Sequence, residues 1–282
     1  MNQPLLVLDS HYLAHRAFHA AGRLSHKGSA TGVIFGFLKS IAGFKDQFDT
    51  DRVAFCFEHP HLFRRDVFPD YKIKRISKEL TKQEAKDRIM FRRQIEDLRE
   101  RLLPKIGFKN VFCFEGMESD DIMAAIARDM PQDEEAILIT SDADLFQCLR
   151  PNVSIYSPQK QKLLTETWFV REYGIRPHTW AKVKAMAGCS GDGVPGIYGV
   201  GEVTALKYVR GEALHTSKAE AIAKGKAVVL RNRPLVQLPY VGCLSPNIVK
   251  DEVSEKAWRE VCAELGMRSI AGRPPIAMRR AR

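Results

Sequence analysis

Four short apolar runs, Leu5 to Leu8, Val53 to Phe57, Val111 to Phe114 and Ala136 to Thr140, are separated by segments whose apolar residues recur at helical spacing. This alternation predicts an α/β fold with a mainly parallel central sheet, since parallel strands need helical crossovers and are covered on both faces. From Thr165 onward the pattern turns helical and is punctuated by the glycine-rich stretch Gly188 to Gly201. The expected organisation is a sheet domain over residues 1–165 and a helical region over 166–282, with the tail GRPPIAMRRAR frayed. Residues 71–105 break the rhythm. Lys72, Lys74, Arg75, Lys78, Lys82, Lys86, Arg88, Arg92 and Arg93 crowd a stretch with few large apolar residues before Ile89, which predicts a solvated helical insertion.

Composition narrows the class. The 282 residues are 45% hydrophobic and 28% charged, enough for a full core and without a bias to disorder. No apolar run approaches the roughly 20 residues of a membrane helix, and MNQPLLVLDS has neither a basic n-region nor a cleavage site. A cytoplasmic, monomeric protein without membrane contact is expected. Six cysteines lack any CxxC spacing, which argues against disulfides and zinc. The formal charge of +10, from 44 basic and 34 acidic residues, favours a polyanionic partner.

Acidic residues stand where three apolar runs end. Asp9 follows LLVL, Glu58 follows VAFCF, and Asp142 and Asp144 follow AILITS. In parallel α/β sheets the carboxyl edge is the ligand-binding edge. Glu118, Asp120 and Asp121 lie in GMESDDIMAAIA, where Ser119 or Asp120 suits a helix cap and the Glu118–Asp121 spacing puts two carboxylates on one face. Any one of these acids suits a loop or a cap; their joint placement does not. Clustered carboxylates need cations, and oxygen donors without His or Cys partners favour magnesium or manganese over zinc. His11, His15 and His19 recur at helical spacing beside this oxygen-rich site, and packing or DNA contact explains them better than metal binding.

The segments LDSHYLAHRAFHA, FRRDVFPDYKIKR, GMESDDIMAAIA, TSDADLFQCL and GCSGDGVPGIYGVGEVTA together resemble the ordered motifs of the flap endonuclease and 5′-3′ exonuclease family, over roughly residues 5 to 210. That resemblance implies a PIN-like 5′-nuclease domain with a helical arch at about 71–105 and a C-terminal helix-three-turn-helix element at about 183–210. It implies magnesium, with manganese as substitute, in two sites: Asp9, Glu58, Glu118, Asp120 and Asp121 around the first ion, Asp142, Asp144 and Asp192 at the second. Lys72, Asp120 and Asp121 form the implied catalytic set, and the products carry 5′-phosphate and 3′-hydroxyl ends. Two departures stand out. Glu58 replaces the usual Asp, and Cys189 replaces an acid of the second site, so the second ion is expected to bind more weakly.

The same resemblance assigns DNA contact to Arg16, Arg64, Tyr71, Lys72, Arg75, Lys78, Lys82 and Lys86, with Tyr71 a base-stacking surface. Gly199 and Gly201 let the hairpin approach a phosphate, Lys207 stands in for a lysine replaced by Val203, and the carbonyls of Met186, Ala187, Ile197 and Val200 are a candidate potassium site. The implied function is structure-selective 5′ cleavage of flaps, nicked or single-stranded DNA ends in replication or repair. Two alternatives remain open at this point: a PIN-like ribonuclease, and a DNA-binding protein weakened at the second metal site.

Overall fold

The computed structural model describes residues 3–73, 77 and 79–275; Arg75, Lys78 and residues 276–282 of the tail lie outside the described residues. Among the described residues ten strands are placed in chain order: β1 Leu5–Asp9, β2 Ser25–His26, β3 Ser29–Ala30, β4 Val53–Cys56, β5 Val111–Phe112, β6 Ala136–Ile139, β7 Val153–Ser157, β8 Lys162–Leu164, β9 Gly188–Cys189 and β10 Val194–Pro195. Six form one sheet in the order β5-β4-β1-β6-β7-β8. All pairs are parallel except β7 with β8.

The unbroken apolar runs follow from coverage on both faces. Leu6, Leu8, Val53, Phe55, Ile137 and Ile139 enter one core with helices Ser10–Ala21 and Gly32–Phe48. Their neighbours Leu5, Val7, Ala54, Cys56, Ala136 and Leu138 enter a second core with helix Ser119–Asp129. Period-two geometry sends alternate side chains to opposite faces, so every position must be apolar.

The last strand of this sheet ends at Leu164, and Thr165 caps the helix Glu166–Tyr173 by accepting the Trp168 N–H at 3.2 Å. The core does not stop there. Ile197, Ile222 and Cys243 share the cluster of Leu5 and Val7. Trp258 and Val261 of helix Glu255–Glu264 share that of Leu6 and Leu8. All six cysteines are free thiols.

The charged insertion is shorter than its composition suggests. Thr81 and Glu84 make a reciprocal capping box that starts helix Lys82–Asp97. From Phe91 onward that helix and its continuation are packed, with Phe91, Ile95, Leu98, Leu102, Leu103 and Ile106 buried. His15 stacks on Phe91 at 4.2 Å between ring centroids, which ties the insertion to helix Ser10–Ala21. Lys82 and Lys86 remain exposed.

Candidate active site

β1 lies in the middle of the sheet, between β4 and β6, and Asp9 ends it. The Asp9 carboxylate is 7% exposed and tied down by its neighbours. Oδ1 accepts the Tyr12 N–H at 3.0 Å and the Ser119 hydroxyl at 3.2 Å, while Oδ2 accepts the Thr140 hydroxyl at 3.3 Å. One acid thus links β1, the start of helix Ser119–Asp129 and the end of β6. Past β6, Asp142 accepts the Asp144 N–H at 2.7 Å and opens a 3₁₀ turn, Ala143–Cys148, that sets Asp144 beside it.

Asp120 faces the same centre. Among the described residues its Oδ1 is enclosed without a hydrogen-bond partner. Burial first, then Asp9, Asp142 and Glu118, push its carboxyl well above the ordinary range. Asp9 is likewise pushed up to about 6, by burial and then by Asp142, against the hydrogen bonds it accepts. An orphaned oxygen among ionisable carboxylates is the arrangement a hard divalent cation satisfies, and the donors fit one.

Glu118 caps helix Ser119–Asp129, a place expected for Ser119 or Asp120; the Ser119 hydroxyl is instead spent on Asp9. Its carboxylate accepts from the Tyr71 hydroxyl at 2.7 Å and pairs with Lys72. Those cations count: despite burial, Lys72 and Arg64 hold its carboxyl below the ordinary range. Lys72 is also 4.0 Å from Asp192 and sits at φ 55°, a conformation a lysine adopts only when its surroundings over-determine it. Its N–H donates to the Asp192 carbonyl at 2.7 Å, docking the two loops. Gly193, at φ 73°, has no room for a side chain there, since a Cβ would lie 2.9 Å from the Asp70 carbonyl oxygen.

Three of the expected site residues are engaged inside the fold. Asp121 is fully buried, and both its oxygens are committed. Arg64 bonds them at 2.5 and 2.8 Å, Tyr240 N–H at 2.7 Å and Glu118 N–H at 3.1 Å. An ion would have to displace Arg64, so Asp121 is an anchor of the fold and not part of the open carboxylate cluster. Arg64, 1% exposed, also donates to the carbonyls of Leu235 at 3.1 Å and Gln237 at 3.2 Å and has no access to DNA. Tyr71, 3% exposed and bonded to Glu118, offers no stacking face.

The remaining expected residues divide by exposure. Glu58 is half-buried past β4, with its N–H donating to His11 Nδ1 at 3.0 Å. Burial, followed by nearby cationic groups, lowers the His11 imidazole to about 4, so it is neutral and spent on backbone. Arg16, Gly199, Gly201 and Lys207 are exposed, and Gly201 precedes helix Glu202–Arg210. Met186 and Ile197 carbonyls accept the N–H groups of Ile197 at 2.8 Å and Val200 at 2.9 Å.

At the outer edge of the cleft, donor atoms of Asp144, Cys189 and Asp192 lie within 4.8 Å of one another. The Cys189 thiol is pushed up to about 12 by burial and by both acids. Lys184, absent from the sequence expectations, bonds Asp144 at 3.0 Å. No local spacing connects residue 184 with residue 144, so no sequence signal marked it.

The shift at Asp9 has a measurable consequence. Its folded carboxyl binds a proton more tightly than in the unfolded chain, so this contribution to stability is present below about pH 4 and lost as the pH rises through about 6. A divalent ion pairs with the ionised form. The rise in melting temperature produced by magnesium is therefore expected to be small near pH 4 and to grow through pH 6. Thermal melts with and without magnesium check this; a shift that shrinks across that window contradicts it.

No helix among the described residues is long and apolar enough to cross a membrane. Residues 4–174 match the family model for the 5′-3′ exonuclease, N-terminal resolvase-like domain. The thermostable DNA polymerase I of Thermus thermophilus is 32% identical over 209 residues, 73% of this chain, and the match spans 24% of the polymerase. A 5′-3′ exonuclease of Bacillus subtilis is 31% identical over 221 residues, 74% of this chain and 70% of that protein. Among solved structures, the bacteriophage T5 flap endonuclease in a pseudo-enzyme-product complex with DNA and metal ions superposes with TM-score 0.71 at 18% identity, covering 95% of this chain and 99% of that one. With the carboxylate-lined sheet edge and these matches together, the chain belongs to the 5′-3′ exonuclease family.

Proposed function

We propose that the protein is a magnesium-dependent, structure-selective DNA 5′ nuclease that hydrolyses phosphodiester bonds at flaps and 5′ ends in replication or repair. The observation that carries this reading is the enclosed Asp120 Oδ1, unpartnered among the described residues, at a sheet edge crowded with carboxylates. It is supported by relatives named as 5′-3′ exonuclease and DNA polymerase I. Asp9, Asp120 and Asp142, with Glu58 and Glu118 at the margin, would hold the inner ion; Asp144 and Asp192 would hold the outer one. Bound there, two divalent ions activate a water and neutralise charge developing on the phosphate.

The chain's own groups do the rest. Lys72 is already inside the cleft, and a phosphate oxygen entering beside it would take over part of the charge now carried by Glu118. Exposed Lys82, Lys86 and Arg16 would guide the single strand, with Arg75 and Lys78 in the same charged segment.

Helix Trp180–Ala187, the β9–β10 hairpin and helix Glu202–Arg210 would act as a helix-three-turn-helix element on duplex DNA. The carbonyls of Met186, Ala187, Ile197 and Val200 would line it as a potassium site. Replacing Lys207 by Ala is expected to weaken duplex binding uniformly across sequences and to reduce the salt slope by about 1. Fluorescence anisotropy over a salt series measures both.

Incubating 5′-labelled flap, nicked and single-stranded DNAs and a matched RNA with magnesium tests the reading. Cleavage of the flap DNA with 5′-phosphate products supports it. Cleavage of RNA alone favours the ribonuclease alternative, and binding without cleavage in magnesium or manganese sinks the enzymatic reading.

A further inference from the structure

We propose that the outer metal position, formed by Asp144, Cys189 and Asp192, takes a thiophilic divalent ion such as zinc, cobalt(II) or cadmium in preference to magnesium. The inference deepens the nuclease reading and relies on it for the role of the cleft, while the donor chemistry stands by itself. One sulfur and two carboxylate oxygens lie within 4.8 Å of one another. Three protein donors with a further position open is the count that catalytic zinc sites offer before water completes the shell. Purely oxygen-lined sites suit magnesium; a thiolate among the donors moves the preference to softer ions.

The sulfur is held in place. Cys189 pairs with Val194 across the β9–β10 ladder. The preceding Gly188, at φ 78°, packs so closely on the opposing strand that a Cβ would lie 2.3 Å from the Gly196 nitrogen. The thiol donates to Asp192 Oδ2 at 3.4 Å. On ion binding the S–H bond breaks, the sulfur–metal bond forms and the proton passes to solvent.

Lys184 is the second observation. Its ammonium lies 3.0 Å from Asp144 Oδ1 and 3.9 Å from Glu202 Oε2, and it is only 13% exposed. The largely buried ammonium neutralises Asp144 in the metal-free protein, and Glu202 gives the lysine somewhere to go when an ion takes Asp144. The outer position is thus charge-compensated when empty and convertible when an ion arrives.

Titration of the 282-residue chain with cobalt(II), in excess magnesium, reads the site through thiolate-to-metal charge-transfer absorption in the near ultraviolet. A band that saturates at one ion per chain is expected, lost in both Cys189→Asp and Cys189→Ser and kept in Cys113→Ser, which removes the other half-buried thiol. Circular dichroism confirms that each variant is folded. Absence of the band in the wild-type protein, or its survival in folded Cys189→Asp, overturns the proposal. Flap cleavage in magnesium is measured on the same preparations. Cleavage without the band overturns the thiophilic site alone, whereas the band without cleavage in any metal upholds the site and overturns the nuclease reading.

Discussion

Replacing Asp120 by Asn is expected to reduce magnesium-supported flap cleavage by about 1000-fold or more while making the metal-free protein more stable. The two effects have one source. Asp120 brings a carboxylate oxygen into an enclosure with no hydrogen-bond partner among the described residues, beside Asp9, Asp142 and Glu118. Without a cation, burial and the neighbouring acids make ionisation of this group costly, and the neutral amide removes that cost, about 1 to 3 kcal/mol. With a cation the same oxygen is a ligand. Ions of this kind contribute several kcal/mol of transition-state stabilisation, and about 4 kcal/mol corresponds to a factor of 1000 in rate. Single-turnover cleavage and thermal melts of the two proteins, each with and without magnesium, separate the terms. Equal cleavage rates would remove Asp120 from the metal site, and a less stable metal-free variant would show that its environment is not repulsive.

Arg64→Ala is expected to cost about 3 to 5 kcal/mol of stability, the range for breaking a buried ion pair from one side. The guanidinium is 1% exposed, and its loss leaves Asp121 without its bidentate partner and the Leu235 and Gln237 carbonyls without a donor. It also removes the cation 5.0 Å from the Tyr240 ring centroid. Since the same side chain ties residues 235–240 to the sheet, limited proteolysis should open that segment before the sheet core. Denaturant titration measures the loss, and a change below about 1 kcal/mol would contradict the anchoring role. Affinity for duplex DNA at a temperature where the variant is folded is expected to match wild type, because Arg64 does not reach the surface.

How much of this was legible in the chain varies by residue. The strands at Leu5, Val53 and Ala136 were marked by unbroken apolar runs, and a sheet buried on both faces leaves no other pattern. Asp9 and Asp142 were legible for the same reason, because position past a parallel strand fixes where a side chain arrives. The acidic motif at Glu118 to Asp121 was visible as a group, but its division was not. Which neighbour turns to the cleft and which to the core depends on what stands on either side of the helix start. Asp121 met Arg64 and the Tyr240 N–H, whereas Asp120 met carboxylates.

The basic segment shows the same limit. Its charge was plain, yet Arg64 and Tyr71, at the near end, are buried partners of acids, and Phe91 onward belongs to the core. The stretch RNRPLVQLP carried no diagnostic pattern, but Asn232 within it clamps the Ala185 and Pro195 carbonyls at 3.0 and 2.9 Å and fixes the hairpin from behind.

By itself, then, the order of apolar and acidic residues determined the layered α/β fold and the edge at which the acids collect, while the quoted motifs carried the resemblance to the family. Those properties depend on periodicity and on neighbours close in sequence. Only the tertiary structure decided which acids stay open to an ion and which are consumed by Arg64 and Lys72, and that Lys184 joins Cys189 at the outer position. Those outcomes rest on contacts between residues tens of positions apart, where burial and charge pairing, not local spacing, set the protonation and reach of each group. The carboxylate cluster read from the sequence is therefore one edge with three kinds of acid: orphaned at Asp120, anchored at Asp121 and mixed with a thiol at Asp144 and Asp192.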